Sequence, residues 1–158
     1  MYSFWSDVLV VGWVKINTDG ASGGNPGCAS AAGILRNDCG EWIVGFAKNL
    51  GWCNSFHAEL WALKLGLQHA WEQGYRKIIV DVDSQAVVEV ADRNYNNLNS
   101  YRDYHGYSPM LTRGWEVEIR HAYMEVNRCA DWLANKALDD NCLSYWWEAN
   151  WCEDSSCL

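Results

Sequence analysis

Three stretches of strand-like alternation precede the first helical repeat in this chain, and that order restricts the fold more than any single residue does. Residues 13–19 alternate, with Val14, Ile16 and Thr18 on one face and Trp13, Lys15, Asn17 and Asp19 on the other, which is the period of a strand. Gly20–Gly27 reads as a loop from its Gly, Asn and Pro content. A second strand is predicted over Ala29–Arg36. Asn37-Asp38-Cys39-Gly40 then turns the chain into a third, Glu41–Ala47, to make a hairpin.

The period changes over His57–Gln73. Leu60, Leu63, Leu67 and Ala70 fall on one helical face, and Gly74 follows as a C-terminal stop. Arg76–Asp83 is a β-branched run of the kind buried in a sheet. A short helix is expected over Ser84–Asp92, capped by Asp83 or Ser84. The polar stretch Asn94–Pro109 reads as loop. Trp115–His121 alternates again, and a last helix runs over Arg128–Leu138 with Asn127 as its cap. The order βββ–α–β–α–β–α implies an α/β fold, a mixed sheet with helices on its faces.

Composition narrows the class. The 158 residues are 49% hydrophobic and 20% charged, with 13 Gly and 2 Pro, an ordinary globular balance for one domain. No apolar run approaches the ~20 residues of a membrane span. No charged n-region precedes an apolar h-region, and no Asn-x-Ser/Thr acceptor occurs, so an intracellular protein is expected, nucleus or cytoplasm undistinguished. Seven cysteines without a Cys-x-x-Cys spacing argue for reduced thiols and against a zinc ribbon or thioredoxin motif. The net charge is −8, from 12 Lys+Arg and 20 Asp+Glu. Five of those acids (Asp139, Asp140, Glu148, Glu153, Asp154) lie in residues 139–158, which hold no Lys or Arg, leaving −3 for residues 1–138. That is no basic footprint of a tight nucleic-acid binder, although local distribution outweighs the sum. The expected organisation is a lead-in over 1–11, one domain over 12–138, and an acidic, Trp-rich tail over 139–158.

Four acids stand at places where α/β sites form. Asp19 ends the first predicted strand and Asp83 the fourth, and α/β sites gather at such ends. Glu59 and Asp131 each fall near a helix start, on a different face from the apolar residues beside them. Each has an ordinary structural use, as turn residue, helix cap or partner of the helix dipole. Together, with no His or Cys ligand nearby, they suit a hard oxygen-seeking cation such as Mg²⁺ or Mn²⁺.

At these residues the chain resembles the ribonuclease H type 1 domain, in particular the reverse-transcriptase-associated ribonuclease H-like domains abundant in plant genomes and non-LTR retroelements. Four blocks carry the likeness: Asn17-Thr18-Asp19-Gly20-Ala21-Ser22 with Gly24-Asn25-Pro26-Gly27 and Ala32-Gly33-Ile34-Leu35-Arg36; Ala58-Glu59-Leu60-Trp61-Ala62-Leu63; Val82-Asp83-Ser84-Gln85; and His121 with Glu125, Asn127, Ala130 and Asp131. The resemblance implies a five-stranded mixed sheet flanked by helices. It also implies an endoribonuclease that hydrolyses the RNA strand of RNA–DNA hybrids. Asp19, Glu59, Asp83 and Asp131 would hold two Mg²⁺ ions (Mn²⁺ as the alternative) ~3.5–4 Å apart. Asp19 would bridge both, Asp131 would serve the water-activating ion, and Glu59 and Asp83 the leaving-group side. His121 would shuttle a proton or assist product release, its structural alternative being a strand-end surface histidine. Gly24, Asn25, Gln85 and Asn127 would contact the nucleic acid, with Ser55 or Asn54 as further candidates, and RNA would be told from DNA by its 2′-hydroxyl.

Some features depart from the family pattern. Residues 94–114 hold Arg102 and Arg113 but mostly Asn and Tyr, so the basic, Trp-rich protrusion of many relatives is missing. Met124 stands where plant-type relatives commonly carry Arg, with Arg120 as candidate replacement. Weak, salt-sensitive binding follows. Of the eleven tryptophans, Trp13, Trp42, Trp52, Trp61, Trp71, Trp115 and Trp132 fall in or near predicted elements, where core packing is the expected role of most and base stacking that of one or two. In the tail, Leu143, Trp147 and Trp151 share a helical spacing, read as a short helix packing on the body, or as a partner-binding or degenerate tail. The expected state is a monomer with an RNA–DNA hybrid as partner, no membrane, and a protein partner through the tail as a further alternative. Two other readings stay open: a domesticated or inactive domain that binds without cutting, and a protein-interaction module.

Overall fold

The computed structural model describes residues 10–96, 114–123, 127–139 and 144–148. The elements are β1 (Val14–Ser22), β2 (Gly27–Arg36), β3 (Trp42–Cys53), α1 (Ser55–Glu72), β4 (Lys77–Val82), α2 (Gln85–Asn96), β5 (Glu116–His121), α3 (Arg128–Asp139) and β6 (Ser144–Glu148). One mixed sheet runs in the order β5-β4-β1-β2-β3-β6. β1 lies parallel to β4 and β4 to β5, while β1–β2, β2–β3 and β3–β6 are antiparallel. The parallel half brings the C-terminal ends of β1, β4 and β5 to one side.

Alternation along the strands sorts the two faces. Val14, Ile16, Leu35, Val44, Phe46, Ile78, Val80 and Val82 pack with Leu60, Leu63 and Leu67 of α1 and with Val87, Val88 and Ala91 of α2. The three α1 leucines are fully buried, each a gain of roughly 1.5–3 kcal/mol over exposure. On the other face, Ala32, Ile34 and Ala47 meet Cys129, Leu133, Ala134 and Ala137 of α3. Small strand residues there let the helix sit low, and the Ser30 hydroxyl donates to the Ala134 carbonyl across that interface.

Helix ends follow local chemistry. Asn54 caps α1, its side-chain oxygen accepting from His57 N–H at 2.8 Å, and Gly74 takes φ +88° just beyond the last turn, the left-handed stop that glycine supplies without strain. Ser84, rather than Asp83, caps α2: its hydroxyl accepts from Val87 N–H at 3.4 Å and its carbonyl from Val88 N–H at 3.2 Å.

Several boundaries differ from the expectation. β1 does not stop at Asp19 but continues to Ser22, and Asp19, Gly20 and Ala21 pair with Ala32, Ala31 and Ser30. Cross-strand pairing there overrides the loop character of Gly and Ser, and the turn contracts to residues 23–26. β3 runs on to Cys53 through an irregularity opposite Ala29/Ser30, where Gly51 at φ +73° absorbs the extra residue of a bulge. α2 reaches Asn96, past the Asn94 start of the expected loop, whose later residues lie outside the described ones. The expected helix through Leu143, Trp147 and Trp151 is corrected at Trp147, while Leu143 and Trp151 lie outside the described residues. Residues 144–148 form β6 and pair with Val44–Lys48 of β3, making a sixth strand beside the five expected. Tyr145, Trp146 and Trp147 are strong strand formers, and β3 offers them an unpaired edge.

Candidate active site

Asp19, Glu59 and Asp83 come together at the C-terminal side of the parallel strands, each offering a carboxylate oxygen within 4.8 Å of the others. Asp19 is held inside β1. Asp83 is the first residue past β4, at the bend into α2. Glu59 projects from the second turn of α1, and its approach depends on Gly20. A Cβ at Gly20 would collide with the Ala58 carbonyl carbon and the Glu59 nitrogen, so only glycine lets α1 lie directly against β1. The same contact brings the Gly20 backbone near the Glu59 carboxylate, which offsets a small part of the rise in its pKa.

Asp131 enters from the other side of the sheet. It sits half-buried in the first turn of α3, outside the close group of Asp19, Glu59 and Asp83 but near enough for its charge to raise Asp83. Two features aim it. The buried Asn127 amide, just before α3, donates to the Thr18 carbonyl at 2.6 Å and fastens the helix start to β1. Asn135, one turn further on, donates to the Asp131 carboxylate at 3.1 Å and its carbonyl at 2.9 Å.

The electrostatics of this cluster are unfavourable without a cation. Asp19 is 3% exposed and Glu59 9%, and one Glu59 oxygen is buried without a hydrogen-bond partner. Among the described residues no Lys or Arg forms an ion pair with Asp19, Glu59 or Asp83. Burial, then repulsion from Glu59 and Asp83, pushes Asp19 up to about 11. Burial and Asp83 push Glu59 up to about 8, and burial also raises Asp83. Like charges in a dry site share protons unless a metal replaces them. An all-carboxylate donor set suits Mg²⁺ or Mn²⁺ and not a thiophilic metal, so these residues fit a hard divalent ion.

His121 ends β5, exposed, with Nε2 3.1 Å from the Asp83 carbonyl oxygen and its ring edge-on to Tyr123 at 5.2 Å. A carbonyl oxygen only accepts, so Nε2 carries the hydrogen and Nδ1 is the acceptor nitrogen of the ring.

The expected nucleic-acid contacts divide. Gly24, Asn25 and Gln85 are exposed. The Asn25 side-chain oxygen accepts from Ser55 N–H at 3.1 Å, tying the β1–β2 turn to the start of α1. Asn54 is occupied by its capping bond. Asn127 is corrected: at 1% exposure it offers no surface to a ligand, and its amide is spent on the Thr18 carbonyl. Half-burial of Trp13, Trp42, Trp61, Trp71, Trp115 and Trp132 agrees with packing for most tryptophans, while Trp52 is 71% exposed. Two contributors escaped the sequence reading. The one-turn spacing of Asn135 from Asp131 was a usable signal. The collision that only Gly20 avoids was not, because it depends on two elements meeting.

A mixed sheet with α1 and α2 on one face, α3 on the other and carboxylates converging from β1, α1, the end of β4 and α3 defines a ribonuclease H-like fold. The family model described as reverse transcriptase-like matches residues 17–137. A protein of Arabidopsis thaliana, provisionally named a ribonuclease H protein, is 45% identical over 131 residues, covering 80% of this chain and 21% of that protein. Ribonuclease HI of Halobacterium salinarum is 33% identical over 133 residues, covering 82% of this chain and 66% of its own length. Among solved structures, RNase H1 from the halophilic archaeon Halobacterium salinarum superposes with a TM-score of 0.68 at 29% identity, covering 81% of this chain and 98% of that one. LC11-RNase H1, solved in complex with an RNA/DNA hybrid, does so with 0.69 at 22% identity, covering 81% and 98%. The chain belongs to the reverse transcriptase-like family. It spans about a fifth of the Arabidopsis relative and about two thirds of the archaeal one. Among the described residues, no helix is long and apolar enough to cross a membrane.

Proposed function

We propose that this chain is an endoribonuclease that hydrolyses the RNA strand of RNA–DNA hybrids, using divalent ions held by Asp19, Glu59, Asp83 and Asp131. The observation that carries this reading is the meeting of Asp19, Glu59 and Asp83 within 4.8 Å, the first two buried and the third half-buried, with no basic partner among the described residues. Such an arrangement costs stability in a merely structural role. The names of the two relatives and the hybrid bound to LC11-RNase H1 support the same substrate class.

When bound, a pair of Mg²⁺ ions supplies Lewis acidity and an activated water for an in-line displacement at phosphorus. The chain's own residues do the rest. Asp19, central among the acids, would serve both ions. Asp131, on the α3 side, would serve the ion nearer the attacking water, and Glu59 and Asp83 the other. Asn135 holds the Asp131 carboxylate in place before any ion arrives. His121 takes up or delivers a proton through Nδ1 while its Nε2–H stays on the Asp83 carbonyl. The exposed turn at Gly24 and Asn25, with Gln85 at the start of α2, presents backbone N–H groups and amides to the hybrid, where an RNA 2′-hydroxyl is the distinguishing group.

The test is cleavage of an end-labelled RNA strand in an RNA–DNA hybrid with Mg²⁺, Mn²⁺ or EDTA, beside single-stranded and duplex RNA. Hybrid-only, metal-dependent cutting is expected, with a loss of at least ~10³-fold in Asp19→Asn, equivalent to ~4 kcal/mol of activation free energy. Cutting that survives EDTA or the substitution would reject the mechanism. Hybrid binding without cutting would leave a binding domain.

A further inference from the structure

Directly beneath the carboxylates lies a second charged layer of opposite character. Asp81 in β4 is buried, its side chain 4% exposed, and it is gripped from both neighbouring strands. Lys15 of β1 places its Nζ 2.8 Å from Oδ2. Arg120 of β5 donates from Nε to Oδ1 at 3.0 Å and from Nη2 to Oδ2 at 3.4 Å, a forked contact. The backbone register aligns Asn17 with Asp81 and Asp81 with Arg120. One row higher come Thr18, Val82 and His121, and the row above holds Asp19 and Asp83. The two layers are ~7 Å apart along the strands.

We propose that Lys15, Asp81 and Arg120 form a register clamp, a set of positioning residues that holds β1, β4 and β5 in step so that Asp19 and Asp83 arrive at one level with His121 one row below them. This rests on the hybrid-nuclease reading above. The need for a clamp follows from β5. Glu116, Glu118 and Arg120 share one of its faces, exposed or half-buried, and α3 lies over β1, β2 and β3 without covering it. The apolar face of this edge strand, Trp115, Val117 and Ile119, is only partly buried against the core, so it fixes the register less firmly than a fully buried face would, and a one-residue slip displaces every side chain by ~3.3 Å and onto the opposite face. The other ion pair on the charged face, Lys77–Glu116, is 4.0 Å long and more than half exposed, so it fixes little. The Arg120 fork on a buried carboxylate is the directional contact there, and it stands one residue from His121.

The experiment compares wild type, Asp81→Asn and the triple variant Lys15→Met/Asp81→Leu/Arg120→Met. The readouts are kcat and KM on the hybrid, hybrid affinity in EDTA, and melting temperature. Asp81→Asn is expected to lower kcat roughly 10–100-fold, the range for residues that orient metal-binding side chains, with KM within about twofold of wild type. Replacing a whole buried ion cluster by apolar side chains commonly restores stability. The triple variant is therefore expected to melt near wild type and still turn over slowly, which a purely stabilising cluster would not produce. The clamp is overturned if Asp81→Asn keeps wild-type kcat, or if kcat in the triple variant returns together with the melting temperature. Should Asp81→Asn not fold, the triple variant alone decides between these outcomes. A wild-type chain that cuts no hybrid overturns the nuclease reading, and the clamp's role with it, whatever the variants do.

Discussion

Asp81 and Asp83 are two residues apart, and their surroundings are opposite. Asp81 is enclosed by two cations that reach it from β1 and β5. Asp83 faces Asp19, Glu59 and Asp131, all acids. One layer is internally compensated and the layer above it is not, so burial of charge serves different ends in each. Below, it fixes geometry. Above, it leaves negative charge that an incoming cation relieves. Natural proteins retain such uncompensated sites where the missing partner is a ligand.

The contrast is sharpest when the lower layer is broken. Asp81→Ala leaves Lys15 and Arg120 without their shared carboxylate, and a loss of about 3 kcal/mol is expected, the lower end for breaking a buried pair because Arg120 is 31% exposed. Urea unfolding at constant ionic strength measures it. The upper layer should respond in the opposite sense. Asp19→Asn relieves repulsion and is expected to raise the melting temperature of the metal-free protein, by about 2–4 °C for each kcal/mol gained. A variant that loses activity while gaining stability would mark the cluster as strained for function.

Acidity separates the layers without mutation. Asp19, Glu59 and Asp83 are all raised in the folded chain, so the folded state binds more protons than the unfolded one above pH ~4. Their contribution to stability is full below their ordinary carboxylate range and is lost as pH climbs toward the raised values. Metal-free protein should therefore melt progressively lower between about pH 5 and pH 8, and millimolar Mg²⁺ should flatten that slope, since binding to the folded state alone stabilises it. Calorimetry at several pH values with and without EDTA gives the result. The smallest expected effect is Asn135→Ala, which frees the Asp131 carboxylate from a largely exposed amide. A stability change of about 0.5 kcal/mol is expected, with a larger proportional loss of Mg²⁺ affinity by titration.

Much of this arrangement is legible in the sequence because it rests on local periodicity. The alternation around Val14, Ile16 and Thr18, the leucine face of α1 and the β-branched run of β4 each assign an element and its buried side. Asp19, Glu59, Asp83 and Asp131 stand out because each falls at an element end or helix start. What stayed hidden depends on pairing between distant segments. The continuation of β1 through Gly20-Ala21-Ser22 is a cross-strand effect that loop composition conceals. β6 exists because β3 offers an edge, which the helical spacing of Leu143, Trp147 and Trp151 does not disclose. Asn127 looked like a ligand contact and a cap, and only the packing of α3 on β1 turns its amide inward. Lys15 and Asp81 drew no notice and Arg120 stood out only as a replacement for the Arg absent at Met124, since nothing in the residues nearest each one suggests that three strands meet there.

The fourth carboxylate comes from α3, the same helix that covers the second face of the sheet. Asp19 and Asp131 are separated by more than a hundred residues of chain, so the constellation is complete only once α3 has joined the sheet. A polypeptide that stops short of α3 lacks both Asp131 and the apolar cover over Ala32, Ile34 and Ala47. Loss of that helix therefore removes the fourth carboxylate and the cover of one sheet face in a single event. The fold and the carboxylate cluster thus depend on the same helix.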